Sequence, residues 1–311
     1  MTGLRTFDGS GFSVDGVCAA KGERTVSVCI PCRDEAPTIG ALVTAVRREL
    51  IDRSGLVDEV IVVDDRSTDE TAQAASSAGA VVVPISAVHE RFGDGHGKGN
   101  VLWASLLVSH GDIVAWIDGD LTSFEPAWIA RLVGPLIEDD GIALVKGHGQ
   151  RPQHVGGGGG RTTELVARPL ISMYFPELAE LFQPLGGEYA VRRSVVEQLP
   201  IAEGWGVEIA MLIDISTRFG VESIGQVDVG IREHRHQGLE ALSVQAAEVI
   251  ATILGRISGG SMLANAEPAL RRPGNQRIPL NLAQRPPIAS LGTHQRESVT
   301  SMEEVDARTK A

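Results

Sequence analysis

Basic residues are scarce in this sequence: 28 Lys and Arg stand against 40 Asp and Glu, which gives a formal net charge of −12. Proteins that bind nucleic acid non-specifically need a basic surface to neutralise phosphates, so the composition argues against a nucleic-acid partner. It still permits a small anionic substrate, because a few local Arg and Lys side chains dominate the field inside a small site.

Cysteine and long apolar runs are scarce as well. Three cysteines cannot build a disulfide framework, and no apolar run approaches the ~20 residues needed to span a bilayer. The first eight residues lack the apolar segment of a secretory signal. We therefore expect a cytoplasmic protein with no membrane partner. Cys29 and Cys32 have the spacing of a redox pair, but Cys29 lies within an apolar run, so we expect it to pack in a sheet.

Hydrophobic residues make up 43% of the chain, enough for a folded core, and 36 glycines with 4% aromatics favour a loop-rich α/β enzyme over a β-sandwich. Strand and helix patterns alternate between residues 25 and 146, which predicts a mostly parallel, doubly wound sheet. The predicted strands are 26–30, 59–63, 80–83, 113–117 and 142–145. Beyond them, helical periodicity predominates to residue 257, with one further strand over 222–229. The last stretch, 289–311, is polar, and we expect it to be mobile.

Polar residues follow three of these strands where each strand ends. Asp118-Gly119-Asp120 comes after the fourth strand, and a carboxylate pair at that position suits a divalent cation that neutralises a diphosphate. The second strand ends at Asp64-Asp65, and the first at residues 31–35. Each cluster alone is also typical of a helix cap or a turn. Because all three lie at the same edge of the sheet, together they favour a nucleotide-binding crevice.

A glycine-rich segment, residues 93–99 (the glycine loop), leads into a predicted helix and carries Lys98 for a phosphate or an acidic partner. The segment does not fit a Walker-type NTPase, because Gly99 follows the lysine where Ser or Thr is required. The first strand is not followed by GxGxxG, which argues against a dinucleotide-dependent dehydrogenase. A mobile surface turn is the alternative interpretation of this loop.

Taken together, residues 31–35, 64–68, 97–99 and 118–120 resemble the motifs of a GT-A glycosyltransferase. Three later strings, at residues 159–170, 183–189 and 204–209, resemble the glucosyl-3-phosphoglycerate synthase family and its mannosyl-3-phosphoglycerate synthase relatives. The resemblance extends from about residue 12 to residue 287. It implies an α/β GT-A (nucleotide-diphospho-sugar transferase) fold with a helical C-terminal acceptor region. It also implies a retaining transferase that moves a hexose from a nucleotide sugar to D-3-phosphoglycerate.

The resemblance further implies a role for particular residues. Asp120 and His234 would hold Mg²⁺ or Mn²⁺, Lys98 would reach the donor, and Glu208 would orient the donor sugar. The donor site would comprise Pro31, Cys32, Arg33, Glu35, Asp65, Ser67, Lys98, Asp118 and Gly119. The acceptor site would comprise Gly160, Arg161, Thr163, Trp205, Arg232 and His236. By residues alone, glycines beside Arg161 and a hydroxyl form an anion-binding nest, although a flexible surface loop is the alternative.

We predict three segments on this basis: a nucleotide-sugar half (1–146), an acceptor-binding and metal-completing half (147–258), and a Pro/Gly-rich extension (259–311). Cys32 and Arg33 depart from the small apolar pair usual in the glucosyl enzymes, His236 stands where Asn is frequent, and Trp205 replaces a usual Tyr. The donor therefore stays open between UDP-glucose, GDP-glucose and GDP-mannose. A sugar nucleotidyltransferase and a non-catalytic nucleotide-sugar-binding regulator are the rival functions. We expect a homodimer, with the long helix after Gly238 as its candidate interface.

Overall fold

The structure, a computed structural model, describes residues 3–150, 160–232, 238–263, 266–274 and 276–292. Its strands are β1 (Arg5–Phe7), β2 (Val26–Cys32), β3 (Glu59–Asp64), β4 (Val81–Pro84), β5 (Ile113–Trp116), β6 (Leu144–Gln150), β7 (Tyr189–Arg192), β8 (Ile201–Ala202), β9 (Ile224–Ile231), β10 (Ala269–Arg272), β11 (Gln276–Pro279) and β12 (Gln284–Arg285). Its α-helices are α1 (Val14–Lys21), α2 (Ala36–Val46), α3 (Thr71–Ser77), α4 (Ile85–Phe92), α5 (Lys98–Val108), α6 (Ala127–Glu138), α7 (Arg168–Tyr174), α8 (Arg193–Val196), α9 (Val207–Phe219) and α10 (Leu239–Arg256). Two π-helical segments, Arg47–Arg53 and Thr163–Ala167, extend α2 and precede α7.

Eight strands form one sheet in the order β1-β9-β6-β7-β5-β2-β3-β4. All neighbouring pairs are parallel except those of β7, which runs antiparallel to both β5 and β6. The predicted α/β architecture with a mostly parallel sheet is therefore confirmed. The carboxyl ends of β2, β3, β5 and β9 lie at one edge. Because β7 runs the other way, the residues just before Tyr189 lie at that edge too.

Helices cover both faces of the sheet, so the central strands are apolar at nearly every position. On β2, Cys29 packs into the core shared with α5, α9 and α10, whereas its neighbours Val28 and Ile30 pack into the core shared with α2 and α6. This alternation follows from the two-residue period of a strand. The sheet is thus a rigid platform whose carboxyl edge carries the loops described below.

Several elements were not predicted. The alternating sequence pattern begins at residue 25, whereas β1 and α1 precede it and β1 pairs in parallel with β9 at the sheet edge. Helix α4 is only eight residues long. Its buried residues are Ile85 and Val88, and charged residues follow them in the sequence, so the helical pattern is short. Strand β7 has four residues, too few for periodicity to distinguish from a loop. Its antiparallel direction makes it the reversed strand of this mostly parallel sheet.

The C-terminal extension packs against the body of the protein. Strands β10 and β11 form a hairpin, and β12 pairs antiparallel with β8. At the start of the segment expected to be mobile, Ala289 N donates to Glu197 O (2.8 Å) and Leu291 packs on the core. Residues 293–311 lie outside the described part, and the division into three segments stays a prediction. Among the described helices, none combines the length and apolar character that crossing a membrane requires.

Candidate functional site

Two loops at the carboxyl edge fasten the ends of β2 and β3 to each other. Asp65 N donates to Cys32 O (2.8 Å), and Asp34 Oδ1 accepts from Thr68 N (2.8 Å). Ser67, a predicted donor-site residue, joins the two loops: its Oγ accepts a hydrogen bond from Asp34 N (3.0 Å). Asp34 has a φ of 57°, in the left-handed region, where Asp is tolerated better than most residues. The loops therefore present a fixed polar rim.

The segment after β5 brings Asp118 and Asp120, the two aspartates of a DxD motif (Asp-x-Asp), to the crevice. Gly119 lies against β2 so closely that a Cβ atom there would be 2.8 Å from Cys32 Sγ. Gly119 O also accepts from Thr38 Oγ1 (2.6 Å). On the other side, a Cβ at Gly187 would overlap the Asp118 carboxylate. Glycine is thus needed at residue 119 for the close approach to β2 and at residue 187 for the close approach to Asp118.

Lys98, at the first position of α5, is the central cation of the site. Its Nζ lies 2.7 Å from Asp118 Oδ1 and 2.8 Å from Glu208 Oε1, and its side chain is only 14% exposed. Burial disfavours the charge, but the carboxylates of Asp118 and Glu208 outweigh burial and hold the pKa of Lys98 well above its usual range. The ammonium is therefore permanently charged and faces the cavity, where it can neutralise a phosphate.

Asp120 is the carboxylate best suited to a metal ion. Burial and then the neighbouring Asp118 raise its pKa to about 6, so its anion is destabilised until a cation approaches. The oxygen chemistry of Asp118 and Asp120 fits Mg²⁺ or Mn²⁺. The other ligand implied by resemblance, His234, lies outside the described residues, as does His236. Within the described part of the chain, no three His, Cys, Asp or Glu side chains cluster as a complete metal site.

Arg232 also lines the cavity, and buried side chains hold it in place. Arg232 is buried, and its guanidinium pairs with the fully buried Glu188 and donates to Gln183 Oε1. Behind this pair, Lys146 Nζ donates to Gly186 O and lies 4.2 Å from the centre of the Tyr189 ring. Burial lowers the pKa of Lys146 to about 7. Glu188 and Gln183 thus fix the guanidinium of Arg232.

These elements enclose one cavity of about 530 Å³. The predicted site residues that line it are Pro31, Cys32, Arg33, Glu35, Asp65, Lys98, Asp118, Gly119, Asp120, Gly160, Arg161, Thr163, Trp205, Glu208 and Arg232. Ser67 is not among the lining residues; its hydroxyl accepts a hydrogen bond from Asp34 N, and its role toward the donor stays a prediction. Among the described residues, the structure therefore brings Asp120 of the metal pair and most of the donor and acceptor candidates to one crevice, while their individual roles stay predictions.

Some lining residues were missed by sequence reasoning. Leu185–Gly187 belong to a string that carried the family resemblance but received no role, because nothing in the sequence showed that β7 reverses direction. Leu242 and Gln245 also line the cavity, from the first turns of α10. Their spacing of three residues places both on one helix face, a signal that could have drawn attention to them.

The two neighbouring cysteines are structural. Cys29 is fully buried and Cys32 is 3% exposed, and both thiols are free. Burial raises the pKa of Cys29 to about 12, and burial together with Asp64 raises that of Cys32 as well. A redox-active cysteine needs a lowered pKa, so the expectation that Cys29 packs in the sheet is confirmed.

Comparison with known proteins places this site in a family. Residues 27–198 match the family described as Glycosyl transferase family 2. The chain is 42% identical over 301 residues to the glucosyl-3-phosphoglycerate synthase of Mycolicibacterium paratuberculosis, an alignment that covers 92% of this chain and 91% of that protein.

Two solved structures of glucosyl-3-phosphoglycerate synthase from Mycobacterium tuberculosis are 40% identical to this chain. One, in complex with Mn²⁺, UDP-glucose and phosphoglyceric acid, has a TM-score of 0.84 and covers 93% of this chain and 99% of its own. The other, in complex with Mn²⁺, UDP and glucosyl-3-phosphoglycerate, has a TM-score of 0.83 and covers 92% and 99%. The predicted GT-A fold and the predicted family are thus confirmed: the chain belongs to glycosyl transferase family 2 and, within it, to the glucosyl-3-phosphoglycerate synthases.

Proposed function

We propose that this protein is a metal-dependent glycosyltransferase that moves glucose from UDP-glucose to D-3-phosphoglycerate with retention at the anomeric carbon. The observation that carries the proposal is the single cavity. Its lining brings Lys98, Asp118 and Asp120 together with Arg161 and Arg232. A cavity that combines a carboxylate pair suited to a metal ion with basic side chains can accommodate a nucleotide sugar and an anionic acceptor together.

The donor half supplies charge stabilisation for the leaving group. Asp120 and His234 would hold Mg²⁺ or Mn²⁺, which when bound offsets the charge that develops on the departing nucleoside diphosphate. Lys98 adds a fixed positive charge on the same side, since its pKa keeps it protonated. The polar rim formed by Glu35 and Asp65 would accept hydrogen bonds from the ribose and base.

The acceptor half orients the attacking hydroxyl. Arg161, with the backbone of Gly160 and the hydroxyl of Thr163, would bind the phosphate or the carboxylate of 3-phosphoglycerate, and Arg232 would bind the other anion. The acceptor hydroxyl then attacks from the face that the phosphate leaves, and the departing phosphate accepts its proton. Glu208 is held by Lys98 at 2.8 Å, which suits it to orient the donor sugar.

The names of the relatives favour glucose over mannose, and the M. tuberculosis complexes favour uridine over guanosine. A donor matrix tests this choice directly: UDP-glucose, GDP-glucose, GDP-mannose and UDP-mannose, each with 3-phosphoglycerate and Mg²⁺. We expect UDP-glucose to give the highest kcat/KM. A higher value for GDP-mannose would establish the mannosyl alternative. If nucleotide binds but none of the four donors is consumed, the protein is a binding regulator instead.

We also propose a homodimeric, cytoplasmic enzyme whose product is the precursor of glucosylglycerate, a compatible solute. The three free cysteines are consistent with a reducing compartment. Leu239 and Ile250 on α10 expose apolar surface that a second copy could cover. Sedimentation equilibrium tests the dimer, and a monomer at micromolar concentration would contradict it.

A further inference from the structure

The C-terminal strap, which we define as residues 281–285, contacts the glycine loop at Gly93 and His96. None of its residues lines the cavity. Its last two residues form β12, which pairs with β8 in the register Gln284 to Ala202 and Arg285 to Ile201. The strap therefore has a fixed place in the fold, independent of substrate.

Arg285 makes the most extensive contacts of the strap. Its Nη1 and Nη2 donate to the carbonyl oxygens of Phe92 (3.1 Å) and Gly93 (2.8 Å), at the start of the glycine loop. Its Nε donates to Asn100 Oδ1 (2.8 Å), just beyond the loop. The side chain is only 7% exposed and pairs with Glu203 at 3.2 Å. One guanidinium thus holds both ends of the loop.

The middle of the loop is fastened in the same way. Asn281 Nδ2 donates to His96 O (2.6 Å), and Glu203 Oε2 accepts from His96 N (3.2 Å). A Cβ atom at Gly95 would overlap both the Arg285 guanidinium and the Asn100 amide. Gly97, with a φ of 92°, turns the chain directly into α5. The loop has little room to move without breaking these contacts.

Lys98 lies within the glycine loop, between Gly93 and Asn100, which Arg285 holds, so the contacts of Arg285 set where the Lys98 backbone lies. We propose that Arg285 is a positioning residue for donor binding, which acts by fixing the glycine loop so that Lys98 meets the donor diphosphate. The inference rests on the proposed function, because it takes Lys98 to bind that diphosphate. Arg285 is a stronger probe than Asn281, because the Asn281 side chain reaches the loop only at His96 O, whereas the guanidinium of Arg285 contacts Phe92, Gly93 and Asn100.

The test is calorimetric titration of UDP into the full-length protein with Mn²⁺, and melting temperature is recorded for every variant. We expect Arg285→Gln to weaken UDP about tenfold, the order of coupling seen between contacting residues. Arg285→Lys should recover part of that loss, because an ammonium reaches the same carbonyls without the planar fork. The KM for 3-phosphoglycerate should stay within about twofold of wild type.

Arg256→Gln is the matched control. Arg256 is also largely buried and forms two hydrogen bonds to Asp214 (2.8 and 2.7 Å), but it does not line the cavity. It should lose stability and keep its UDP affinity. If Arg285→Gln is too unstable to titrate, Asn281→Ala removes the contact to His96 O together with the side-chain contacts to Glu203 Oε2 (3.4 Å) and Ala283 N (3.2 Å), and it should weaken UDP binding about threefold.

The decisive step is a double-mutant cycle with Lys98→Met. If Arg285 acts through Lys98, Arg285→Gln should weaken UDP less than about twofold further in the Lys98→Met background. An equal loss in both backgrounds, or wild-type UDP affinity in Arg285→Gln, overturns the inference. If wild type itself binds no UDP in the presence of Mn²⁺, the proposed function is contradicted. That result comes from the first titration, before any variant is measured, so it cannot be confused with a failure of the Arg285 inference.

Discussion

Replacing Lys98 with Met tests the charge balance at the centre of the site. The change removes the ammonium and keeps a side chain of similar length in a position where the lysine is 14% exposed. It takes this cation away from two carboxylates: Asp118, 28% exposed, and Glu208, 4% exposed. Glu208 therefore loses the most, because its charge is shielded from water.

The cost follows from how deeply the pair is buried. Removing one partner of a buried ion pair costs about 3–5 kcal/mol, because the remaining charge is uncompensated. Asp118 retains some contact with water, so we expect a loss near the lower end, about 3 kcal/mol at pH 7. Adding Glu208→Gln to Lys98→Met removes the stranded charge and should recover about 1–2 kcal/mol of that loss.

Urea denaturation in EDTA measures the free energy of unfolding for wild type, both single variants and the double variant. Lys21→Met is the matched control, since Lys21 forms a similar pair with Asp58 (2.6 Å) elsewhere in the fold. Glu208→Gln should not rescue that control. A double variant no more stable than Lys98→Met would show that the uncompensated charge of Glu208 is not the source of the cost.

Asp120→Asn should abolish turnover. Burial raises the pKa of Asp120 to about 6, so the folded state favours the protonated carboxyl. This contribution to folding stability is complete below about pH 4 and is lost as the pH rises through 6. In EDTA, Asp120→Asn should therefore have a higher melting temperature than wild type at pH 8 but not at pH 4. Metal affinity of the wild type should fall as the pH drops below 6; a flat profile by calorimetry would contradict the assignment. Arg161→Ala should cost about 2–5 kcal/mol in acceptor use and leave UDP affinity near normal, whereas loss of UDP binding with normal acceptor kinetics would place the glycine run at the donor. A Cys29→Ala, Cys32→Ala double variant should show unchanged thiol–disulfide exchange activity relative to wild type, and a lost activity would revive the redox interpretation.

The central sheet could be predicted because its strands are buried on both faces. Uniform apolar runs such as those of β2 and β3 are typical of strands covered by helices on both sides, and the polar residues that follow them mark the carboxyl edge. The position of the crevice could be predicted from that edge, and the family resemblance added the residues of the site. The residues alone left caps and turns as alternatives at every strand end.

Features that depend on long-range pairing could not be predicted. β7 is four residues long, and its antiparallel direction is determined by its position between β5 and β6 rather than by its own sequence. The same reversal brings Gly187 and Glu188 to the site. Arg285 lies in a Pro- and Arg-rich stretch with no motif, and only the fold shows that it reaches a loop that comes far earlier in the chain.

The most direct test of the central claim is an NMR assay of the purified protein with UDP-glucose, D-3-phosphoglycerate and Mg²⁺. We predict that UDP appears in equal amount with a new sugar-linked phosphoglycerate, that the new anomeric signal has the α configuration of the donor, and that EDTA abolishes both. Free glucose in place of the glycoside, a β-configured product, or full activity in EDTA would contradict the proposed metal-dependent, retaining transfer to 3-phosphoglycerate.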